Sequence, residues 1–235
     1  MALIHCNLCN DRGIIVENDV AKPCSCMKDR LLARKIRNSH LTDKMRGFTF
    51  DKFNFDYYNK YYDSAHKSYK AAQDFAKRCA RGESPDGIFL TGEVGSGKTY
   101  LASCIANYIL DRGKEVILLV VPDFLDSIRA TFDATKRDSM GEQDLVDEAR
   151  EIPVLILDDL GAHNYTEWTK NKIYSLLNYR LNNDLPTVIT SNISFGDLTI
   201  YLGERTASRI SELCRPYRLQ VEIDIRILMR QASIK

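Results

Sequence analysis

The chain has 235 residues, and its 33 basic and 32 acidic side chains leave a formal net charge of +1. This balance excludes a bulk electrostatic attraction to nucleic acid, so any DNA-binding surface has to be local. No apolar run approaches the roughly 18 residues that indicate a membrane span, and the first residues lack the basic and apolar regions of a secretory signal. The sequence therefore predicts a cytoplasmic globular protein with no membrane partner.

The first 27 residues contain a cysteine pattern that is typical of a zinc site. Of the seven cysteines, four lie here: Cys6, Cys9, Cys24 and Cys26. Cys-x₂-Cys is good zinc-ligand spacing, whereas Cys-x-Cys is tighter than usual. A hairpin between the pairs would bring all four thiols to one end, so residues 1–27 are predicted to form a structural Cys₄ zinc module. The alternative is a set of four free or redox-active thiols.

The remainder divides into a linker and a larger α/β unit. Residues 28–60 combine a basic helical stretch with an aromatic segment that contains Phe48, Phe50, Phe53 and Phe55. From residue 61 to 235, apolar runs at 87–90, 116–120, 154–157 and 187–190 alternate with helical patterns. Such runs predict a parallel sheet with helices on both faces. A further run, 219–225, alternates apolar and polar residues and predicts an edge strand with one face in solvent.

A phosphate-binding loop follows the first apolar run. Its sequence is Gly92-Glu93-Val94-Gly95-Ser96-Gly97-Lys98-Thr99, a full match to G-x-x-x-x-G-K-[ST]. Glycines allow the backbone to wrap a phosphate chain with its N–H groups pointing inward, and the helix that follows presents its positive dipole end. We expect Lys98 to reach the β- and γ-phosphates of ATP and the Thr99 hydroxyl to bind Mg²⁺.

Polar residues end two of the later apolar runs. Asp158 and Asp159 follow the run 154–157, at the end of a buried strand that faces the ligand crevice in a parallel sheet. Asp158 is expected to hold Mg²⁺ through water, and Asp159 to polarise the attacking water. Asn192 follows the run 187–190, where its amide either orients that water or caps the next helix.

These motifs, in this order, carry a resemblance to a known family. Four segments resemble motifs of the AAA+ ATPases of the bacterial replicative helicase-loader group (DnaC/DnaI type) and of their relative, the IstB transposition helper. They are the loop 92–99, Asp158-Asp159-Leu160-Gly161, Thr190-Ser191-Asn192 and Arg205-Thr206-Ala207-Ser208-Arg209-Ile210. The likeness covers about residues 46–226. The cysteine pattern ahead of the core is also similar to that of loader homologues.

The resemblance implies several roles. The strand that ends at Asn192 is expected between those that carry Lys98 and Asp158, which makes Asn192 the sensor-1 residue. Arg209 matches the arginine finger that acts in trans on a neighbouring subunit's ATP, with Arg205 as the alternative. Arg226 takes the sensor-2 position, although Glu222 replaces the usual glycine nearby.

Two further expectations concern the residues that contact adenine and the residues that contact DNA. So few residues follow Arg209 that the usual helical lid is expected to be absent or vestigial. The adenine contacts are then expected from the segment 48–55. The alternative is that its phenylalanines only pack in the hydrophobic core. A helix from Asp123, with Phe124, Ile128 and Phe132 followed by Lys136 and Arg137, faces either single-stranded DNA or the core.

The resemblance therefore implies an ATPase that uses ATP, Mg²⁺ and structural Zn²⁺. Its partners would be a hexameric replicative helicase, single-stranded DNA and copies of itself in a ring or spiral. ATP hydrolysis at subunit interfaces would load the helicase during replication initiation or restart. Two alternatives stay open: an IstB-like ATPase that assists a transposase, and a nucleotide-gated adaptor with little turnover.

Overall fold

The computed structural model describes residues 5–17, 20–130, 142–161 and 165–232. The strands are β1 (Ile14–Glu17), β2 (Val20–Pro23), β3 (Gly87–Gly92), β4 (Val116–Val120), β5 (Val154–Leu160), β6 (Thr187–Ser191) and β7 (Cys214–Leu219). The helices are α1 (Cys26–Asn38), α2 (Asp43–Arg46), α3 (Tyr62–Ala80), α4 (Lys98–Leu110), α5 (Val121–Ala130), α6 (Glu142–Glu151), α7 (Glu167–Asn182), α8 (Leu198–Leu202), α9 (Glu204–Leu213) and α10 (Ile225–Ala232).

A two-stranded antiparallel hairpin precedes the main body. β1 pairs with β2 in the register Ile15↔Lys22, and α1 begins directly after it at Cys26. The hairpin that the sequence predicted between the two cysteine pairs is therefore present.

The main sheet has five parallel strands in the order β4-β5-β6-β3-β7. The central strands β3 and β6 are buried along their whole length, which explains why their apolar residues are consecutive (Ile88-Phe89-Leu90 and Val188-Ile189) rather than alternating with polar ones. β6 lies between β3 and β5, as the resemblance implied. The predicted α/β class with a parallel sheet is confirmed.

Two apolar layers cover the two faces of this sheet. One packs α3, α4 and the aromatic linker onto the sheet, with Leu101, Ile105 and Ile109 among its fully buried members. The other packs α5 and α7–α9, with Leu177 and Ile210 at its centre. The helices on both faces leave the loops at the carboxyl ends of the strands to form the site. Within the ranges that the structure describes, no helix is both long and apolar enough to cross a membrane.

β5 is irregular at its acidic pair. Its pairing with β6 runs regularly to Leu157↔Ile189 and resumes at Leu160↔Ser191, with a register shift between them. Asp159, inside the shift, has φ = 61°, a left-handed conformation that is uncommon for a residue other than glycine. The irregularity turns the two acidic side chains toward the edge where the β3 loop lies.

The edge strand predicted at 219–225 is wrong in position. The edge strand β7 is Cys214–Leu219, and its pairing with β3 ends at Gly92↔Leu219. Beyond Gly92 the β3 chain leaves the sheet, so β7 has no partner after Leu219. Ile225 starts α10, the only element that follows β7 in the described chain.

The outer edge of β4 is partly covered by the linker. The Leu118 N–H donates to the Ser39 carbonyl, 3.0 Å away, and Ser39 is fully buried. Lys35 on α1 donates to the Gly113 carbonyl at 2.7 Å and lies 3.6 Å from Glu115. The N-terminal helix is therefore attached to the main body at this edge.

Candidate functional site

The phosphate-binding loop connects β3 to α4 and is closely packed. Gly95 and Gly97 have φ values of 73° and 94°, so both adopt conformations that favour glycine. A Cβ at Gly95 would overlap the Asp224 carboxylate, and the Gly95 carbonyl accepts the Ile225 N–H at 3.2 Å. The loop is thus held on one side by the start of α10.

The Lys98 ammonium lies inside this loop. Its Nζ donates to the carbonyls of Gly92 (2.9 Å) and Glu93 (2.8 Å), and the residue is only 7% exposed. Burial lowers the pKa of Lys98, while the nearby Asp158 and Asp159 oppose the shift. A buried cation whose hydrogen-bond partners are neutral carbonyls is well suited to an anionic phosphate.

Asp158 is the centre of a buried hydroxyl network. The Thr99 hydroxyl donates to its carboxylate at 2.9 and 3.0 Å, and the Thr190 hydroxyl donates at 2.6 Å. Asp158 is 4% exposed, and this burial raises the pKa of its carboxyl above the usual value. A carboxylate beside a threonine hydroxyl is the oxygen-donor set that Mg²⁺ prefers. Thr99 and Asp158 therefore fit the ion that the family would place here.

Asp159 and Asn192 form a second pair beside the first. The Asn192 amide donates to the Asp159 carboxylate at 3.0 Å, and the Asp159 N–H donates to the Thr190 hydroxyl at 2.9 Å. Thr190 thus connects Asp158 with Asp159. Sequence reasoning gave no role to Thr190, and its signal was a polar side chain at the end of a buried apolar strand.

The two arginines implied by the resemblance lie in different places. Arg226 is in the first turn of α10, two residues after Asp224, and its charge contributes to the lowered pKa of Lys98. Arg209 does not join the cluster. It lies on α9, where it donates to Glu212 at 3.0 Å and contacts Tyr174. A position away from its own chain's loop is what a residue that acts on a neighbour's nucleotide requires.

The phenylalanines of the linker pack on one another and on the core. Phe48 stacks on Tyr100 with ring centroids 4.5 Å apart, and Phe53 stacks on Tyr58 at 5.3 Å. Phe50 is 9% exposed within the same layer. This packing matches the plain-core alternative for these residues.

The expected DNA-facing helix is only partly described. In α5, Ile128 is fully buried and Phe124 packs against the core layer, as the core-facing alternative has it. Phe132, Lys136 and Arg137 lie outside the described residues.

The four N-terminal cysteines come together at the end of the hairpin. The Cys6 and Cys24 sulfurs are 3.7 Å apart, those of Cys9 and Cys26 are 3.6 Å apart, and all four lie within 4.8 Å of one another. With Zn–S bonds of about 2.3 Å, a tetrahedron has S–S edges of about 3.8 Å. The Gly13 N–H also donates to the Cys9 sulfur at 3.3 Å. The cluster therefore fits a closed Zn²⁺ site. By contrast, Cys104 is buried in the main core.

Known proteins share this architecture. The model of the family "IstB-like ATP binding protein" matches residues 15–210. Protein YqaM of Bacillus subtilis is 30% identical over 88% of this chain and 65% of its own length. The replicative helicase loader DnaC of Buchnera aphidicola (subsp. Acyrthosiphon pisum) is 28% identical over 66% of this chain and 62% of its own length.

This chain thus spans a little under two thirds of the length of these two curated relatives. Among solved structures, DnaI superposes with a TM-score of 0.60 at 25% identity, over 77% of this chain and 92% of that chain. The family match covers most of the sequence, including the loop 92–99 and both acidic residues. The chain therefore belongs to the family of IstB-like ATP-binding proteins and has the AAA+ fold of the DnaC/DnaI-type helicase loaders.

Proposed function

We propose that this protein is an ATP-dependent loader that places a hexameric replicative helicase on single-stranded DNA during replication initiation or restart. The observation that carries the proposal is the polar network that links Thr99, Asp158, Asp159 and Asn192 beside the Lys98 loop. The similarity to DnaC and DnaI supports the loader role. The proposed regions are a zinc module (1–27), a linker (28–60) and an ATPase domain (61–235).

The chain's own residues would divide the hydrolysis among them. Lys98 binds and neutralises the β- and γ-phosphates, and Thr99 and Asp158 hold Mg²⁺, which supplies further neutralisation of the phosphate charge. Asp159 accepts a hydrogen bond from the attacking water and polarises it. The Asn192 amide already donates to Asp159, so it fixes the orientation of that carboxylate.

Completion of the site would need a neighbouring copy. Arg209 is half-buried on α9 and paired with Glu212, so a second subunit's phosphate would compete with that exposed carboxylate for the guanidinium. Arg226 would contact the nucleotide from the chain's own α10. Head-to-tail contacts of this kind produce rings or open spirals. An arginine finger can contribute about 10³–10⁵ in rate.

The decisive experiment is native mass spectrometry of this protein with its host's replicative helicase, with and without ATP and Mg²⁺. A complex that contains a helicase hexamer and changes with nucleotide is expected. The Arg209→Ala variant should bind ATP but lose nucleotide-dependent self-association. Arg215→Ala, which removes an exposed arginine paired with Asp86, is the matched control and should behave as the wild type. No complex in either nucleotide state would contradict the loader function.

The match to the IstB-like family favours one competing function, an ATPase that assists a transposase. Such a protein would bind duplex DNA in the presence of ATP and capture a transposase rather than a helicase. The third possibility, a nucleotide-gated adaptor, predicts partner binding with little turnover. Lys98→Ala and Asp159→Asn test this adaptor alternative, because the first removes nucleotide binding and the second only hydrolysis.

A further inference from the structure

Residues 45–58, which we term the strap, run along α4 toward the phosphate-binding loop. At the far end of α4, the Asn107 amide donates to the Phe48 carbonyl at 2.7 Å. About two turns nearer the loop, the Tyr100 hydroxyl donates to the Thr49 carbonyl at 3.2 Å. The strap therefore follows the helix that carries Lys98 back to its beginning.

The strap ends at the loop with Tyr58. The Tyr58 hydroxyl donates to the Ser96 carbonyl at 2.9 Å, and its side chain is almost completely enclosed. Ser96 itself is fully buried. The next residue, Gly97, approaches so closely that an added Cβ would lie 2.7 Å from the Tyr58 oxygen. Phe53 stacks on the Tyr58 ring and limits its movement.

This contact determines the orientation of one peptide unit of the loop. In a planar trans peptide the C=O of one residue and the N–H of the next point in opposite directions. A Ser96 carbonyl that is held toward Tyr58 therefore directs the Gly97 N–H away from Tyr58. Loops of this type bind phosphate through backbone N–H groups, so the direction of this N–H bears on affinity. Burial raises the pKa of Tyr58, so the hydroxyl remains a donor at physiological pH.

We propose that Tyr58 is a positioning residue for nucleotide binding. Its hydroxyl holds the Ser96–Gly97 peptide in the orientation that presents the Gly97 N–H to a phosphate, and it acts through the loop without touching the nucleotide. The proposal rests on ATP binding, the property of the family to which the chain belongs, and not on helicase loading. It also gives the linker a task beyond connecting the cysteine module to the sheet.

The test is Tyr58→Phe in the full chain, with Tyr69→Phe as the matched control. The Tyr69 hydroxyl also donates to a backbone carbonyl, that of Phe50 at 3.2 Å, and its ring packs on Phe53 in the same aromatic cluster. Calorimetric titration with a non-hydrolysable ATP analogue and Mg²⁺ gives Kd. A lost hydrogen bond to a buried carbonyl should raise Kd about ten-fold for Tyr58→Phe, whereas Tyr69→Phe should stay within about two-fold.

Steady-state kinetics give a readout that a purely structural role would not change. We expect Tyr58→Phe to raise KM for ATP with little change in kcat, because the lost interaction aids binding of substrate and transition state alike. The proposal would be overturned if Tyr58→Phe and Tyr69→Phe lowered the melting temperature of the nucleotide-free protein equally and left Kd unchanged. Should Tyr58→Phe not fold, Tyr58→4-aminophenylalanine retains a weaker donor. About three-fold weaker binding is then expected, and unchanged binding would contradict the inference.

Discussion

The carboxylate of Asp158 is buried, with only 4% of the residue exposed to solvent. Burial raises the pKa of this carboxyl in the folded protein, so the folded state binds the proton more tightly than the unfolded chain does. The stabilising contribution of the protonated form is then present at acid pH and is lost as pH rises through the folded pKa. Above that folded pKa the nucleotide-free protein therefore bears the cost of a buried charge.

Asp158→Asn should accordingly stabilise the nucleotide-free protein at pH 8 and abolish Mg²⁺-dependent ATP hydrolysis. The amide oxygen can still accept from Thr99 and Thr190. Differential scanning fluorimetry should show a higher melting temperature, by about 2–4 °C for each kcal/mol recovered. The gain should shrink as the pH is lowered toward 4. A melting temperature below that of the wild type at pH 8 would refute the assignment of a buried charge.

Asp159 should matter for hydrolysis and not for binding. Asp159→Asn keeps the size of the side chain and removes the charge that polarises the attacking water. We expect ATP turnover to fall by about 10²–10⁴-fold, with the Kd for ATP nearly unchanged. Asp184→Asn is a suitable control, because Asp184 also has a positive φ (50°) but lies in the turn before β6. Full activity of Asp159→Asn would exclude this residue as the polarising group.

The sequence predicted the residues of this site better than it predicted their connections. The loop 92–99 and the acidic pair could be recognised because their spacing and their place after apolar runs carry the chemistry. The contacts of Thr190 and Tyr58 could not be recognised. Thr190 contacts Asp158, 32 residues away in sequence, and Tyr58 contacts Ser96, 38 residues away. No local pattern encodes contacts over such separations.

At the scale of elements, a single buried arginine joins three segments. Arg180 on α7 is completely buried and donates to Thr187 at the start of β6. It also donates to the Ala149 and Ile152 carbonyls at the end of α6, and to the Pro186 carbonyl before β6. Its guanidinium therefore satisfies several buried carbonyl groups at once, although the Pro186 carbonyl also accepts the Leu155 N–H at 3.3 Å.

Arg180→Met should therefore destabilise the protein by about 3 kcal/mol or more, because several buried carbonyls lose their donor at once. Urea unfolding followed by circular dichroism measures the change. Arg215→Met, at an exposed ion pair, should change stability by no more than about 0.5 kcal/mol. Equal unfolding midpoints for the two variants would show that Arg180 does not hold these segments.

Strands could be predicted where burial alone determines the hydrophobic pattern of the sequence. They could not be predicted where the hydrogen bonds to a neighbouring strand determine how far the strand extends. The runs at 87–90, 116–120, 154–157 and 187–190 each contain consecutive apolar residues, and all four are strands in the structure. The alternation from Leu219 to Ile225 suggested a strand because Leu219 and Val221 do reach the core. The ladder nevertheless ends at Leu219, since its partner β3 turns into the phosphate-binding loop there. The sequence of one strand does not reveal where its neighbour ends.

At the scale of the whole molecule, the cysteine module is a small unit with little apolar core. Beyond its four cysteines, its cluster contains only the partly buried Ile15 among the described residues. Zinc should therefore supply most of its folding free energy. The five-stranded domain has its own two apolar layers, so it should remain folded without the metal.

We expect inductively coupled plasma mass spectrometry to find one zinc ion per chain. The Cys9→Ser variant should lose this zinc. The control Cys79→Ser should retain it, since Cys79 lies in α3, far from the cluster in sequence. A chelator should make residues 5–26 susceptible to protease while the main melting transition persists. Metal-free protein with an unchanged protease pattern would mean that the module folds by packing alone.

The hydrogen bond from Leu118 to Ser39 has a consequence for how this protein can be divided. β4 is an edge strand of the sheet, and the Ser39 carbonyl accepts a hydrogen bond from one of the N–H groups on its outer side. A fragment that begins after this residue would present a bare strand of Val116-Ile117-Leu118-Leu119-Val120 to other molecules. Exposed apolar edges pair with one another. Shortened versions that keep every catalytic group should then be prone to insolubility on expression, and a starting point ahead of Ser39 is the remedy.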